Sequence, residues 1–429
     1  MSERRHGRFK EAVISWSPLK KSLFLVLIAI MVYGTVIALD GPVVSEIFGE
    51  ENFHPDIRLY RERTSTILEG GLLYTDVHTE TPPLINYLLI PAQLMGGGDH
   101  IWVYSAYFSF FGLISALMMY HALRRYDDWL AFVMGLLFIL SPFGFIEAGL
   151  GEDETIVAFT VLLPALLMVL ERNRLASLAI GLGIWTKMWA ILLAPAHFLQ
   201  QRSWKERWIM IGIIAGVTIL VALPFLILCG DEFTWFLQYY FIGNPDRKAE
   251  GFSTFQFLQW GGYGIPMRIS LALVLIGLLF AYLYAYKKGL GKWESMTLAV
   301  TVFFVLYPKM HTGYYLIPIA FLLAWAAENR HIAARCFLMF LPVILAVAFS
   351  PTVGPGGGGT AFIEFEGSWI LGLAFALTAS IMLLEATYTA MKNKSFITRA
   401  IEEEKARGSA DGPITSASAG APGLDGGSA

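Results

Sequence analysis

The chain has 429 residues, of which 56% are hydrophobic, 14% aromatic and only 15% charged, where a soluble domain carries about 25% charged residues. That balance leaves too little polar surface for water and excludes soluble multidomain, disordered, collagen-like and coiled-coil classes. The two cysteines, Cys229 and Cys336, exclude a disulfide framework and a Cys-rich metal site, and the net charge of -3 says less as a sum than in its distribution.

Residues 1–21 are basic and run into an apolar stretch with no small-residue cleavage site, so they read as a cytoplasmic N-terminus ahead of a retained first helix. A membrane domain over 22–390 follows. Crossing the hydrocarbon core takes about 20 apolar residues. Membrane segments are predicted at 22–39, 101–122, 129–146, 155–170, 175–187, 188–200, 208–229, 267–286, 295–308, 314–327, 333–350 and 369–390. The segments 175–187 and 188–200 are too short to span singly and are predicted as a hairpin that turns back inside the protein. The expected fold is therefore all-α, a polytopic transmembrane bundle of about 12 membrane segments. The stretch 391–429 reads as a cytoplasmic tail, largely disordered, because from about Gly408 it is Gly, Ser, Ala and Pro with little to bury. No internal repeat is visible.

Alternating the connections between two sides sorts the charges. The N-terminus, 123–128, 171–174, 201–207, 287–294, 328–332 and the tail, with the adjoining helix ends, hold most of the 31 Lys and Arg. The positive-inside rule makes that set cytoplasmic, with both termini inside. The other set is acid-rich and external.

Three external segments are more polar than turns require. In the loop 40–100, Ile57, Tyr60, Ile67 and Leu68 share one side at helical spacing, with Arg58, Arg61, Glu62 and Arg63 elsewhere, and Gly70-Gly71 stops the run. This predicts an amphipathic helix lying in the interface plane. A second interfacial or re-entrant piece is predicted at Leu84–Met95, after Thr81-Pro82-Pro83. The second segment, Glu147 to Glu154, places four acids in eight residues at a helix boundary. The third, Asp231 to Pro266, carries Asp246-Arg247-Lys248 among aromatics that also suit an interfacial belt.

Lys187 falls at the hairpin tip, below the membrane surface, and Lys309 and His311 at an external helix junction. An ionised lysine inside a bilayer is costly and needs a partner. Together these cations suit the phosphate of an anionic lipid, with aromatics lining the path of its tail. Asp56, Glu80 and the 152–154 cluster supply carboxylates for a base or a divalent cation. Asp56 follows Pro55 and equally suits a helix cap, and the acids before 155 suit a helix N-terminus. An external reaction has no nucleotide pool to draw on, so an activated donor has to be membrane-borne.

The stretch from Asp56-Ile57-Arg58-Leu59-Tyr60, through Leu73-Tyr74-Thr75-Asp76, to Glu80-Thr81-Pro82-Pro83-Leu84 and Tyr87 resembles the first external loop of GT-C glycosyltransferases. These are polytopic enzymes that use polyprenyl- or dolichyl-phosphate sugars and include aminoarabinose transferases and protein O-mannosyltransferases. Gly151-Glu152-Asp153-Glu154 resembles the family's Gly-Gln-x-Asp element, with Glu in place of both Gln and Asp. Residues 179–195 resemble its short hairpin with Lys187 at the basic position, and Pro308 to Pro318 its Pro-x-x-His-x-x-Tyr-Tyr element.

The resemblance implies a membrane glycosyltransferase that moves a sugar, commonly mannose, from a polyprenyl-phosphate carrier to an acceptor (protein, lipid or glycan) at the external face. It implies Asp56 as base, with Glu80 as a second acid. Lys187, Lys309, His311 and Tyr314, with Arg247, are expected at the lipid phosphate. The resemblance fixes no cofactor and leaves open a divalent metal (Mg or Mn) at Asp153 and Glu154. Membrane lipid is an expected partner and nucleic acid is not. The rival expectation is a secondary transporter or lipid flippase, supported by the helix count and opposed by the missing repeat and the scarcity of acids at mid-depth in the spans.

Overall fold

The computed structural model describes residues 10–40, 43, 55–201, 203–238, 248–350, 363 and 365–410. Helices dominate throughout. In chain order they are α1 (Pro18–Leu39), α2 (Pro55–Leu68), α3 (Pro83–Ala92), α4 (Ile101–Leu123), α5 (Asp128–Ile139), α6 (Pro142–Gly149), α7 (Glu154–Val169), α8 (Asn173–Lys187), α9 (Ala194–Leu199) and α10 (Trp204–Leu237). There follow α11 (Thr254–Trp260), α12 (Met267–Lys288), α13 (Lys292–Leu306), α14 (Leu316–Ala326), α15 (Arg330–Leu338), α16 (Phe340–Ala348), α17 (Ser368–Met391) and α18 (Phe396–Ala410).

Every predicted apolar stretch is helical, but not every one is long enough to cross a membrane. Among the described residues six helical spans are, and seven if α5 and α6, bent by 43° at Pro142, count as one. The count of about twelve is therefore not confirmed. The reason lies in packing. The short apolar helices include α7 and α14, and α14 is buried at every position. A helix apolar all round is either in lipid or in a protein core, and hydropathy alone does not separate the two. The lipid-facing helices show the opposite pattern: α10 and α12 leave Leu220, Ile227, Leu275 and Phe280 exposed.

The predicted hairpin forms. α8 ends at Lys187, Met188 turns the chain with φ 28°, and a 3-10 segment at Trp189–Leu193 leads back into α9. The amphipathic helix forms as α2, and the second piece as α3 with a wide turn at Gln93–Gly97. The buried side of α2 differs from the expected one. Ile57 and Tyr60 are buried, but so are Arg63 and Thr64, while Leu68 is 47% exposed. Arg63 sits inside because it has partners there: its guanidinium donates to Glu80 (3.3 Å) and Thr81 (3.5 Å).

Ion pairs sort the loops into two ends. Lys21 with Asp128, Lys292 with Glu171, Arg125 with Glu404 and Arg399 with Glu328 join only connections from the lysine- and arginine-rich set. Arg63 with Glu80, Lys187 with Asp153 and Lys309 with Glu250 join only the acid-rich set. At the basic end, α18 docks through its first turn. The carboxylate of Glu294, 3% exposed, accepts from Ser395 N and Ser395 Oγ (both 2.9 Å) and from Thr398 Oγ1 (2.6 Å). Helix therefore extends into the stretch read as tail; residues 411–429 lie outside the described residues.

At the acidic end, strand β1 (Glu250–Gly251) pairs in parallel with strand β2 (Lys309–Met310). Gly251 adopts φ +70°, and a side chain there would collide with the Met310 carbonyl. Ser253 Oγ donates to Pro308 O (2.7 Å) and Ser350 Oγ to Gly251 O (2.6 Å), so the segment before α11 is held onto the Lys309 strand. Gly251→Ala is expected to lower the thermal unfolding midpoint of the detergent-purified protein, since the left-handed backbone alone costs about 1–2 kcal/mol for a residue with Cβ and the collision adds to it. An unchanged midpoint would show that this pairing contributes nothing to stability.

Candidate active site

The Gly-Glu-Asp-Glu segment builds the floor of the site. Gly151 takes φ +86°, a conformation that favours glycine, and lets Glu152 N donate to Glu147 O (2.9 Å). The chain then turns into α7 with Asp153 at the cap position, yet the Asp153 side chain caps nothing. Its carboxylate accepts instead from Lys187 Nζ at 2.8 Å, and Glu154 accepts from the same nitrogen at 3.0 Å. Both acids are buried. Gly313 leans on the Glu154 side chain so closely that any Cβ there would overlap Cγ. Lys187 also lies over the rings of Trp189 (5.3 Å) and Tyr314 (5.2 Å). Two carboxylates and two aromatic faces thus make the surroundings in which this lysine stays charged.

Asp56 enters from the first turn of α2. Its field comes from Asp153 and Glu152 on one hand and from Lys187 and Lys309 on the other. Burial, then the charge of Asp153, raise its pKa above the usual aspartate value, with Lys187, a hydrogen bond to Glu152 and Lys309 pulling the other way. A hydrogen bond between two carboxyl groups needs one shared proton. Burial first, then Asp56, Glu154, Glu147 and Asp153, push the Glu152 pKa well above the normal glutamate range.

The second cation is placed by the two-stranded pairing. Lys309 on β2 reaches Glu250 on β1 at 2.6 Å. His311 follows, its ring edge-on to Tyr314 at 5.1 Å. Its surroundings, and then Lys309 and Lys187, hold the His311 pKa below the ordinary histidine value, which favours the neutral imidazole near pH 7. It can donate one hydrogen bond but brings no charge.

Lys187, Lys309, Asp153 and Tyr314 line a cavity of about 240 Å³. Its long wall is apolar: Leu271, Val274, Leu275 and Leu278 on α12, Ile191 and Leu192 after the hairpin turn, and Phe303 on α13. Leu275 is 68% exposed, so this wall is continuous with the outer surface of the bundle. Thr81, Pro82 and Ile85 complete the rim from the first loop.

Six of the residues expected from sequence are thus gathered here: Asp56, Asp153, Glu154, Lys187, Lys309 and Tyr314, with His311 behind Tyr314. Glu80 is not among them. It lies beside the rim residue Thr81 but is turned to Arg63. Arg247 lies outside the described residues. Asp153 and Glu154, the expected metal ligands, are engaged by Lys187, and among the described residues no group of three or more His, Cys, Asp or Glu is arranged to hold a metal ion. Sequence reasoning missed Glu250, which nothing in its local pattern marks, and the partnership of Glu152 with Asp56. The crowding of acids at 147–154 was the one available signal for the latter.

The profile of Glycosyltransferase family 87 matches residues 81–351, more than half of the chain; the match takes in Asp153, Glu154, Lys187, Lys309, His311 and Tyr314 and begins after Asp56. No curated protein matches the chain. With the apolar helices that embed it in a membrane, the chain belongs to glycosyltransferase family 87 and is a membrane glycosyltransferase.

Proposed function

We propose that this glycosyltransferase takes its sugar from a polyprenyl-phosphate carrier and transfers it, with inversion, to an acceptor hydroxyl at the external face of the membrane. The observation that carries the reading is the cavity: two lysines in its lining and an apolar wall that continues to the exposed surface of α12. That is the shape and polarity of a phosphate with a hydrocarbon tail. The family membership speaks for transfer and against the transporter reading.

In this reaction Asp56 accepts the proton of the acceptor hydroxyl. The acceptor oxygen bonds to the anomeric carbon as the bond from that carbon to the phosphate oxygen breaks on the opposite side. The electron pair leaves with the polyprenyl phosphate. Lys187 has three N–H donors. Asp153 and Glu154 take two, which leaves one for the phosphate and fixes the direction in which it points. Lys309 supplies the second cation, and Tyr314 with neutral His311 supplies hydrogen-bond donors without adding charge. Groups fixed before the phosphate charge develops are the largest source of such catalysis. The shared proton on Glu152 keeps Asp56 ionised among other acids. The acid-rich end of the bundle supports the external placement, since basic connections favour the cytoplasm.

Three outcomes test this reading, each with purified protein and synthetic polyprenyl-phosphate sugars. Asp56→Asn is expected to lower kcat/KM at least ~100-fold, the lower range for a general base, with expression unchanged; near-normal transfer would remove Asp56 from the role. Because the base form of Asp56 is the ionised one and its pKa is raised, activity should fall as pH drops through that raised value. The acid limb of the kcat/KM profile therefore belongs above the ordinary aspartate range near ~3.9; a limb at or below it would contradict the assignment. Lys309→Gln should raise KM for the donor while leaving the unfolding midpoint near that of the parent. Lys187→Gln should also lower the midpoint, because it strands two buried carboxylates at a cost of about 3–5 kcal/mol. Equal stability of the two variants would argue against the clamp.

A further inference from the structure

The end of the bundle opposite the active site holds another cavity, of about 730 Å³, which plays no part in transfer. Two turns wall it. The one between α14 and α15 brings Glu328, Asn329 and Arg330, and the one between α17 and α18 brings Lys392, Asn393 and Lys394, with Arg399 from α18. Four cations thus face one carboxylate. Two of the four are already paired: Arg399 forms a bidentate pair with the cavity's own Glu328 (3.0 and 2.6 Å), and Lys394 reaches Glu402 at 2.6 Å. Arg330 and Lys392 pair with no carboxylate among the described residues, and both are exposed. The walls are firm. Trp325 Nε1 donates to Asn393 O (2.8 Å), and the Asn329 side chain caps α15 through His331 N and Ile332 N.

The surface leading inward from this cavity changes character in a regular order. Lys392 stacks over Tyr388 at 4.4 Å. Seven residues back along α17, about 10 Å at the helical rise, Glu385 pairs with Arg335 of α15 through two hydrogen bonds (2.9 and 2.8 Å). Beyond that pair both helices turn apolar outward, with Ile381 and Leu377 exposed on α17 and Leu338 and Leu341 on α15 and α16. Cations, then a polar pair, then hydrocarbon: a phospholipid has the same sequence in its phosphate, its glycerol esters and its acyl chains. Anionic lipids are attracted to basic residues at the cytoplasmic leaflet, and this is the end that carries the excess of Lys and Arg.

We propose that this cavity binds the head group of an anionic phospholipid, its phosphate between Arg330 and Lys392 and its acyl chains along the strip from Ile381 to Leu341. The site is independent of sugar transfer and of the residues assigned to it.

The test is native mass spectrometry of the full chain released from nanodiscs containing phosphatidylglycerol or phosphatidylcholine. The parent protein is expected to retain phosphatidylglycerol and not phosphatidylcholine. Arg330→Gln with Lys392→Gln should retain phosphatidylglycerol about 30-fold less tightly, the worth of two basic residues near a membrane surface. Arg330→Lys with Lys392→Arg should keep it. Lys392→Gln alone, with about a 5-fold loss, serves if the double variant unfolds. Equal retention of the two lipids, unchanged retention in the Gln variants, or displacement of the lipid by millimolar inorganic phosphate would each overturn the proposal; the last would mark a site for small anions.

Discussion

The candidate site depends on one half-buried lysine and the two carboxylates that hold it. Lys187 stands at the tip of a short hairpin, and a lone ammonium group in such surroundings would be expelled toward water or neutralised. Asp153 and Glu154 prevent both. They are supplied by the turn that opens α7, and that turn is possible because Gly151 adopts a left-handed backbone. The clamp fixes the hairpin against α7, and Tyr314 against the lysine. It also takes up two of the lysine's three hydrogens, so a change at this position acts on stability and on the proposed phosphate contact together.

The surplus of acid around the clamp shapes the rest of the site. Asp56, Glu147, Glu152, Asp153 and Glu154 are close enough to influence one another, and two lysines do not balance them. Like charges crowded in a poorly solvated region force a proton onto one of the group. With the proton on Glu152, as proposed for the reaction, a repulsive neighbour of Asp56 becomes a hydrogen-bond donor. A protonated Glu has the same shape as a Gln and the same ability to donate.

Much of this was legible in the sequence. Helices formed at every apolar stretch, and the side-by-side sorting of loops by charge agrees with the ion pairs at both ends, because the positive-inside rule acts on the same residues that later pair. The count of about twelve membrane segments is not confirmed, because α7 and α14 are apolar yet short and packed largely against the rest of the protein. The face of α2 failed at Arg63, since a buried arginine is indistinguishable from an exposed one until Glu80 and Thr81 are seen beside it. Asp56 was singled out by its place in the first-loop motif, and Lys187 and Lys309 because ionised groups in apolar surroundings need a partner; the structure brings the three near one another. Glu250 was not singled out, because its meaning lies wholly in a strand pairing across nearly sixty residues of chain.

The docking of α18 has a practical side. Glu294 is sealed from solvent and receives all three of its donors from Ser395 and Thr398. Any shortened version that ends before these residues removes the donors and leaves a negative charge facing a hollow in the helix bundle. Tags and fusion partners are better joined beyond residue 410 than placed on a chain trimmed to its last long apolar helix, since the modest amphipathic segment after that helix is the plug that closes the basic end.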